Sequence, residues 1–139
     1  MIRHPTSRRS FLKGSLSVAA GSLIITGTKA TGDFRGANEA IRIAIAGING
    51  RGGSHMKEFG GMKDVQIAYL VDPDSRLYPA KVKSVENQTG KTPKTEQDIR
   101  RVLEDKNVDA ISIATPNHWH ALMTIWACMA DKDVYVEKP

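Results

Sequence analysis

Residues 41–53 read Ile-Arg-Ile-Ala-Ile-Ala-Gly-Ile-Asn-Gly-Arg-Gly-Gly. Apart from Arg42, the first six are apolar, which suits a parallel strand covered on both faces. A glycine-dense turn follows, and a polar helix over 51–61 opens after it. Such an opening commits the chain to an α/β layer structure, because both strand faces must be buried against helices. Glycine lets the chain turn tightly and lets backbone N–H groups approach an anion, while the helix N-terminus adds about half a positive charge. A strict G-x-G-x-x-G would place glycine at 47, 49 and 52. Here those positions hold Gly47, Asn49 and Gly52, with further glycines at 50 and 53. Asn tolerates left-handed backbone angles better than most residues, so the substitution of Asn49 for glycine is survivable. Alone, the turn fits a nucleotide site or an ordinary glycine-rich strand–helix junction.

Downstream, the pattern repeats the same alternation. A second strand is predicted over Val65–Val71, closed by Asp72-Pro73-Asp74. A helix over 75–88 follows, with Leu77, Ala80, Val82 and Val85 facing inward and Gly90 ending it. Residues 91–97 read as a loop around Pro93 with room for a short extended piece. Asp98 is placed to cap a helix through Asp105, with Ile99, Val102 and Leu103 on one face. The next strand spans 110–114 and is stopped by Thr115-Pro116. A helix over 118–130 is so rich in apolar residues that it is expected to be largely buried. Its Cys128, the single cysteine of the chain, is expected to be a buried, inert thiol. A last strand begins at Val134. The order β-α-β-α-α-β-α-β implies a doubly wound parallel sheet with right-handed crossovers, a Rossmann-type fold.

The net charge of +5 is not spread over this fold. Arg3, Arg8, Arg9, Lys13 and Lys29 precede Thr31, with no acidic residue among them; from Thr31 onward there are 15 basic and 15 acidic residues. A neutral folded part removes the main support for a nucleic-acid partner. Residues 1–30 instead read as a targeting segment. Ser7-Arg8-Arg9-Ser10-Phe11-Leu12-Lys13 is a twin-arginine signature, followed by a mildly apolar run and a small-residue cleavage site at Thr28-Lys29-Ala30. Export through the twin-arginine machinery is the expectation, with residues 31–40 as a linker and a periplasmic mature chain from about Thr31. That route carries proteins folded before crossing, which favours a bound cofactor. No stretch approaches ~20 consecutive apolar residues, so no membrane span is expected.

Asp72 lies 25 residues after Gly47, near the spacing at which an acid ending the second strand reaches the adenosine ribose hydroxyls. A carboxylate there repels a 2′-phosphate and favours NAD. Arg76, a turn later, pairs with a 2′-phosphate in an alternative that keeps NADP open. The plainer alternative makes Asp72 a helix cap and Arg76 a solvated side chain. Thr115-Pro116-Asn117-His118-Trp119-His120 falls at the carboxyl edge of the sheet, where ligands of open α/β sheets bind. His118 and His120 are two apart and do not share a helix face, so a metal site is not expected.

Taken together, these residues resemble the N-terminal part of the Gfo/Idh/MocA oxidoreductases, the family of glucose–fructose oxidoreductase and inositol dehydrogenase. The matching stretches run from Ala46 to Gly52, from Val71 to Asp74, from Val108 to His120, and from Val136 through Glu137-Lys138-Pro139. The resemblance implies a glycine turn (Gly47, Asn49, Gly50, Arg51, Gly52) on the pyrophosphate and Asp72 on the adenosine ribose. It further implies Thr115, Pro116, Asn117 and His120 on the nicotinamide-ribose side, with Glu137 close to the nicotinamide. Lys138 matches the lysine of the family's Glu-Lys-Pro motif, which assists proton movement at the substrate hydroxyl.

Members of that family continue for about 200 residues in a second α/β domain that carries the substrate face, a size typical of such domains. The given sequence stops on the joining motif, so the expectation is the cofactor half of an exported NAD(P)-dependent sugar or polyol oxidoreductase, truncated and inactive alone. Two alternatives stand beside it: a non-catalytic dinucleotide-binding module, and an NAD-dependent glycosidase of the same fold, in which hydride is removed and returned.

Overall fold

The computed structural model describes residues 40–138. The predicted signal segment and nearly all of the linker lie outside these residues, as does Pro139. Five parallel strands form one sheet: β1 (Ile41–Ala46), β2 (Val65–Val71), β3 (Lys94–Glu96), β4 (Ala110–Ile113) and β5 (Asp133–Val136), in the order β3-β2-β1-β4-β5. The helices are α1 (Arg51–Gly60), α2 (Tyr78–Thr89), α3 (Ile99–Leu103) and α4 (His120–Met129), with single 3₁₀ turns at Ser75–Leu77 and Asn117–Trp119. The chain runs outward from β1 to β2 and β3, then returns to β4 on the other side of β1. The connections therefore diverge between the carboxyl ends of β1 and β4, and ligands of open α/β sheets bind at such a point.

Because successive side chains of a strand point to opposite faces, β1 feeds two cores. Ile43 and Ile45 pack with Ile48, Met56, Ile67, Leu70 and Val85 beneath α1 and α2. Ala44 and Ala46 pack with Val71, Val102, Ile111, Ile113 and Ala127 beneath α3 and α4. The small alanines on this second face let α3 and α4 approach the sheet closely. The continuous apolar run of β1 is thus explained by burial on both sides.

Most predicted elements are present, with informative exceptions. The extended piece after Pro93 is a true strand, since Tyr69, Leu70 and Val71 pair with Lys94, Thr95 and Glu96. On α2, Val85 is buried, but Ala80 is exposed. The 3₁₀ turn delays the helix to Tyr78, so its inward stripe runs Tyr78, Val82, Val85. The Tyr78 hydroxyl lodges against the carbonyls of Asp72 and Glu96 and so pins the helix start to two strand ends. Asp98 caps α3 as expected, its Oδ1 accepting from the Arg100 amide at 3.0 Å, although the helix ends at Leu103.

The expectation of a largely buried helix over 118–130 fails. Within α4 only His120 and Ala127 are buried, while Leu122, Ile125 and Met129 are 39%, 56% and 79% exposed. Cys128 is exposed as well, not the buried thiol expected. One face of the helix covers the sheet through Met123, Trp126 and Ala127. The opposite face is apolar too, and among the described residues nothing covers it. Apolar density alone does not separate these two cases.

Candidate functional site

The glycine turn owes its shape to close backbone approach. Gly47 has φ +82°, and a Cβ there would lie 2.8 Å from the Ala114 carbonyl group. A Cβ on Gly52 would lie 1.7 Å from the Gly47 carbonyl oxygen. Neither position admits a side chain unless the backbone shifts. Asn49 is not required to adopt left-handed angles, because the positive φ values of the turn fall on Gly47 and Gly50. Its side chain instead turns back, Oδ1 accepting from the Gly50 amide at 3.0 Å. The extra glycine at 50 thus does the conformational work that the sequence pattern had assigned to 49. Helix α1 then starts with no acidic residue in its first turn and no side-chain cap. The Gly52 and Gly53 amides donate to the Asn49 and Gly50 carbonyls at 3.1 and 2.9 Å, so what the helix start offers an anion is chiefly its dipole.

Asp72, 9% exposed at the end of β2, is tied to this turn. Its Oδ2 accepts from the Ile48 amide at 3.1 Å and its Oδ1 from the Asp74 amide at 2.9 Å. Each oxygen keeps a further lone pair, so the carboxylate retains acceptor capacity for hydroxyl groups. Arg76 is committed elsewhere. It binds Asp74 through two bonds, Nε to Oδ1 and Nη2 to Oδ2, each 2.8 Å. This pairing holds the Asp74 carboxyl below its ordinary range and raises the Arg76 guanidinium.

A cleft of about 920 Å³ opens here at the carboxyl edge of the sheet. Gly47, Asn49, Gly50, Asp72, Thr115 and Pro116 line it. Its far wall is formed by Ile99, Arg100, Trp119, Met123 and Trp126. Arg100 lies over the Trp126 ring at 5.9 Å and is held by Asp98, which it pushes down to about 2. A second, shallower groove beside β3, about 870 Å³, contains none of the predicted site residues. Among the described residues no group of three or more His, Cys, Asp or Glu side chains is placed to hold a metal.

Seven predicted residues stand outside the cleft lining. Gly52 packs beneath the turn. Arg76 is on Asp74. Asn117 is exposed in its 3₁₀ turn. His120 turns inward, its Nε2 2.7 Å from the Thr115 carbonyl oxygen, and so fixes the loop carrying Thr115 and Pro116. Lys138 is exposed. Glu137 and Arg51 bond each other at 2.8 Å beside the start of α1, and the same Glu137 oxygen is 2.8 Å from His55 Nε2. His55 Nδ1 in turn is 2.7 Å from Ser112 Oγ. These bonds to its charged form hold the Glu137 carboxyl below its ordinary value.

His55, Ser112, Trp126 and the Asp98–Arg100 pair were not among the residues singled out from sequence. Ser112 carried a signal, being a polar residue in a strand buried on both faces, which needs a partner. His55 follows Arg51 by four residues and therefore shares its helix face.

The cleft chemistry fits a dinucleotide: an uncapped helix N-terminus for phosphates, a carboxylate for ribose hydroxyls, and apolar and aromatic walls for flat rings. A Cβ on Gly50 would meet no atom within 4 Å, so the turn keeps open space on its cleft side. The model of the Gfo/Idh/MocA oxidoreductases, an NAD-binding Rossmann fold, matches residues 41–139. The chain belongs to the Gfo/Idh/MocA oxidoreductase family. The glycosyl hydrolase family 109 protein 1 of Shewanella sp. strain MR-4 is 27% identical over 156 aligned residues, covering 98% of this chain and 34% of the relative. The chain thus spans about a third of that protein's length. Among solved structures, the myo-inositol 2-dehydrogenase of Lactobacillus plantarum superposes with a TM-score of 0.62 at 27% identity, over 73% of this chain and 29% of the enzyme. GenD2 from gentamicin A biosynthesis, solved in complex with NAD, superposes with a TM-score of 0.62 at 25% identity, over 76% of this chain and 29% of its own. The parallel sheet of this Gfo/Idh/MocA chain is therefore the family's nucleotide-binding layer.

Proposed function

We propose that the chain is the NAD-binding half of an exported oxidoreductase that moves hydride to or from a sugar or polyol. The observation that carries the proposal is Asp72, whose carboxylate spans the end of β2 and the glycine turn and lines the cleft at the sheet's switch point. The α1 N-terminus would hold the diphosphate and Asp72 the adenosine ribose, with Thr115 and Pro116 on the nicotinamide side. Bound there, the nicotinamide supplies the hydride acceptor or donor. NAD is favoured over NADP because the cleft is lined by the carboxylates of Asp72 and Asp74, which would repel a 2′-phosphate, and Arg76 is already paired with Asp74. GenD2 in complex with NAD supports the same choice. Lys138 directly follows Glu137 and would supply an ammonium to a substrate oxygen, the role of the matching lysine in the family.

The substrate class rests on the inositol dehydrogenase likeness. The glycosyl hydrolase family 109 relative favours a second reading, a glycosidase in which hydride leaves and returns and the net reaction is hydrolysis. Export rests on Arg8 and Arg9 in the twin-arginine signature. Replacing both with Lys should abolish periplasmic accumulation, and undiminished accumulation would reject export.

Calorimetric titration of the chain with NAD and with NADP tests the cofactor assignment. Saturable binding of NAD, tighter than NADP, is expected. Absence of binding for either at millimolar concentration rejects the proposal. For the whole enzyme, net formation of reduced cofactor on a polyol supports the dehydrogenase, whereas hydrolysis without net reduction supports the glycosidase.

A further inference from the structure

Ser112, His55 and Glu137 are joined in the order of a hydrolytic triad, yet Ser112 is fully buried within β4 and offers no nucleophile. The chain of bonds must serve another end. A carboxylate only accepts, so His55 Nε2 carries the proton shared with Glu137, and in the neutral ring Nδ1 accepts the Ser112 hydroxyl proton. The ring is held on its sides as well. Phe59 and Tyr135 meet it edge-on, with centroids 6.1 and 5.4 Å away. Only 4% of His55 is exposed. Its orientation is therefore set from every direction.

What this rigid ring holds is Glu137. The Glu137 amide donates to the Ile113 carbonyl at 3.1 Å, while its Oε1 receives both His55 Nε2 and Arg51 Nε. Arg51 is the first residue of α1 and directly follows cleft-lining Gly50. Its side chain is 61% exposed, and the bond to Glu137 uses only Nε. The two terminal nitrogens remain available beside the helix N-terminus. A free arginine there would sample many rotamers, whereas one tethered through Nε presents its remaining donors in a fixed plane.

We infer that His55 is a positioning residue which, by holding Glu137, fixes Arg51 as a clamp on the diphosphate of the bound dinucleotide. The inference rests on the dinucleotide reading and adds to it a residue 57 positions from one partner and 82 from the other. It gives a role to the Ser112–His55–Glu137 relay, which lies outside the cleft lining.

The test uses the full chain with ADP-ribose, which carries the diphosphate, and adenosine, which does not. His55→Leu should weaken ADP-ribose about 10-fold, the loss expected when a charged hydrogen bond is misplaced, with adenosine changed less than about 2-fold. Arg51→Gln should reproduce the loss. The double variant should add nothing to it, because both changes break one linkage. His55→Gln, which keeps a donor facing Glu137, should restore most of the affinity. Equal weakening of both ligands, additive losses in the double variant, or unchanged ADP-ribose binding would overturn the inference. A ligand-free readout separates its failure from failure of the dinucleotide reading. The Arg51 Nε–H resonance should be slow to exchange in the wild type and averaged with bulk arginine signals in His55→Leu. If that coupling is present but ADP-ribose does not bind, the relay stands and the diphosphate role falls. If ADP-ribose binds and the resonance is indifferent to His55, the positioning role falls.

Discussion

The carboxylate of Asp72 accepts the Ile48 amide at 3.1 Å, joining the end of β2 to the glycine turn that follows β1. Two chain segments 24 residues apart thereby share one buried acid at the mouth of the cleft. The same group thus shapes the turn and faces the site.

Asp72→Ala should cost NAD about 10- to 100-fold in affinity, the range for hydrogen bonds to a charged group. It should also relax the preference toward NADP. Adding Asp74→Ser frees Arg76 for a 2′-phosphate and should move the ratio further. Titrations of each variant with both cofactors check this, and an unchanged NAD-to-NADP ratio removes Asp72 from the ribose site.

Gly52→Ala should be among the most damaging single changes. Its Cβ would stand 1.7 Å from the Gly47 carbonyl oxygen, with backbone on both sides of the clash. A loss of about 3 kcal/mol or more in denaturant unfolding is expected from such overpacking. Gly50→Ala makes a useful contrast, since a Cβ there meets no atom and only the positive φ is strained. It should cost about 1 to 3 kcal/mol in the same measurement, from backbone strain without a clash.

The lowered Glu137 carboxyl makes stability depend on pH. Its bonds from His55 and Arg51 favour the charged form, so the folded value lies below the 4.5 of the unfolded chain. The stabilisation is complete above that unfolded value and is lost as pH falls through the folded one. The stability difference between wild type and Glu137→Gln should therefore be constant near neutrality and shrink in acid. A difference independent of pH would contradict the charged linkage from His55 and Arg51 to Glu137.

Cys128 should react with a disulfide reagent in the folded chain, without denaturant, because its helix turns that side outward. A thiol that titrates only after unfolding would restore the buried placement that the sequence suggested.

How far the sequence could be read depended on how local each signal was. The run Ile43–Ala44–Ile45–Ala46 announced a strand buried on both faces, and the two cores divide it accordingly. Asp98 announced its helix through a cap that depends on adjacent residues alone. Asn49 is tolerated for a reason the pattern of glycines does not show, since that pattern does not say which position carries the positive φ. Helix α4 misled because apolar residues on its two faces look alike until the sheet is placed against one of them. The Ser112–His55–Glu137 relay was hidden by distance along the chain. Ser112 showed that it needed a partner, but nothing local to it named His55. The Asp74–Arg76 pair is only two residues apart, yet it became visible only once the loop geometry was known.

The proposed function stands on a dinucleotide bound in the cleft between Asp72 and the Trp119–Trp126 wall. The chain has two tryptophans, and both line that cleft. Energy transfer from tryptophan to the dihydronicotinamide of NADH, followed during titration of the full chain, reads that binding directly. Binding in this cleft produces saturable tryptophan quenching with matching sensitised NADH emission, weakened in Asp72→Ala. Tryptophan emission that shows no saturable change up to millimolar NADH, from a chain shown to be folded, would contradict it.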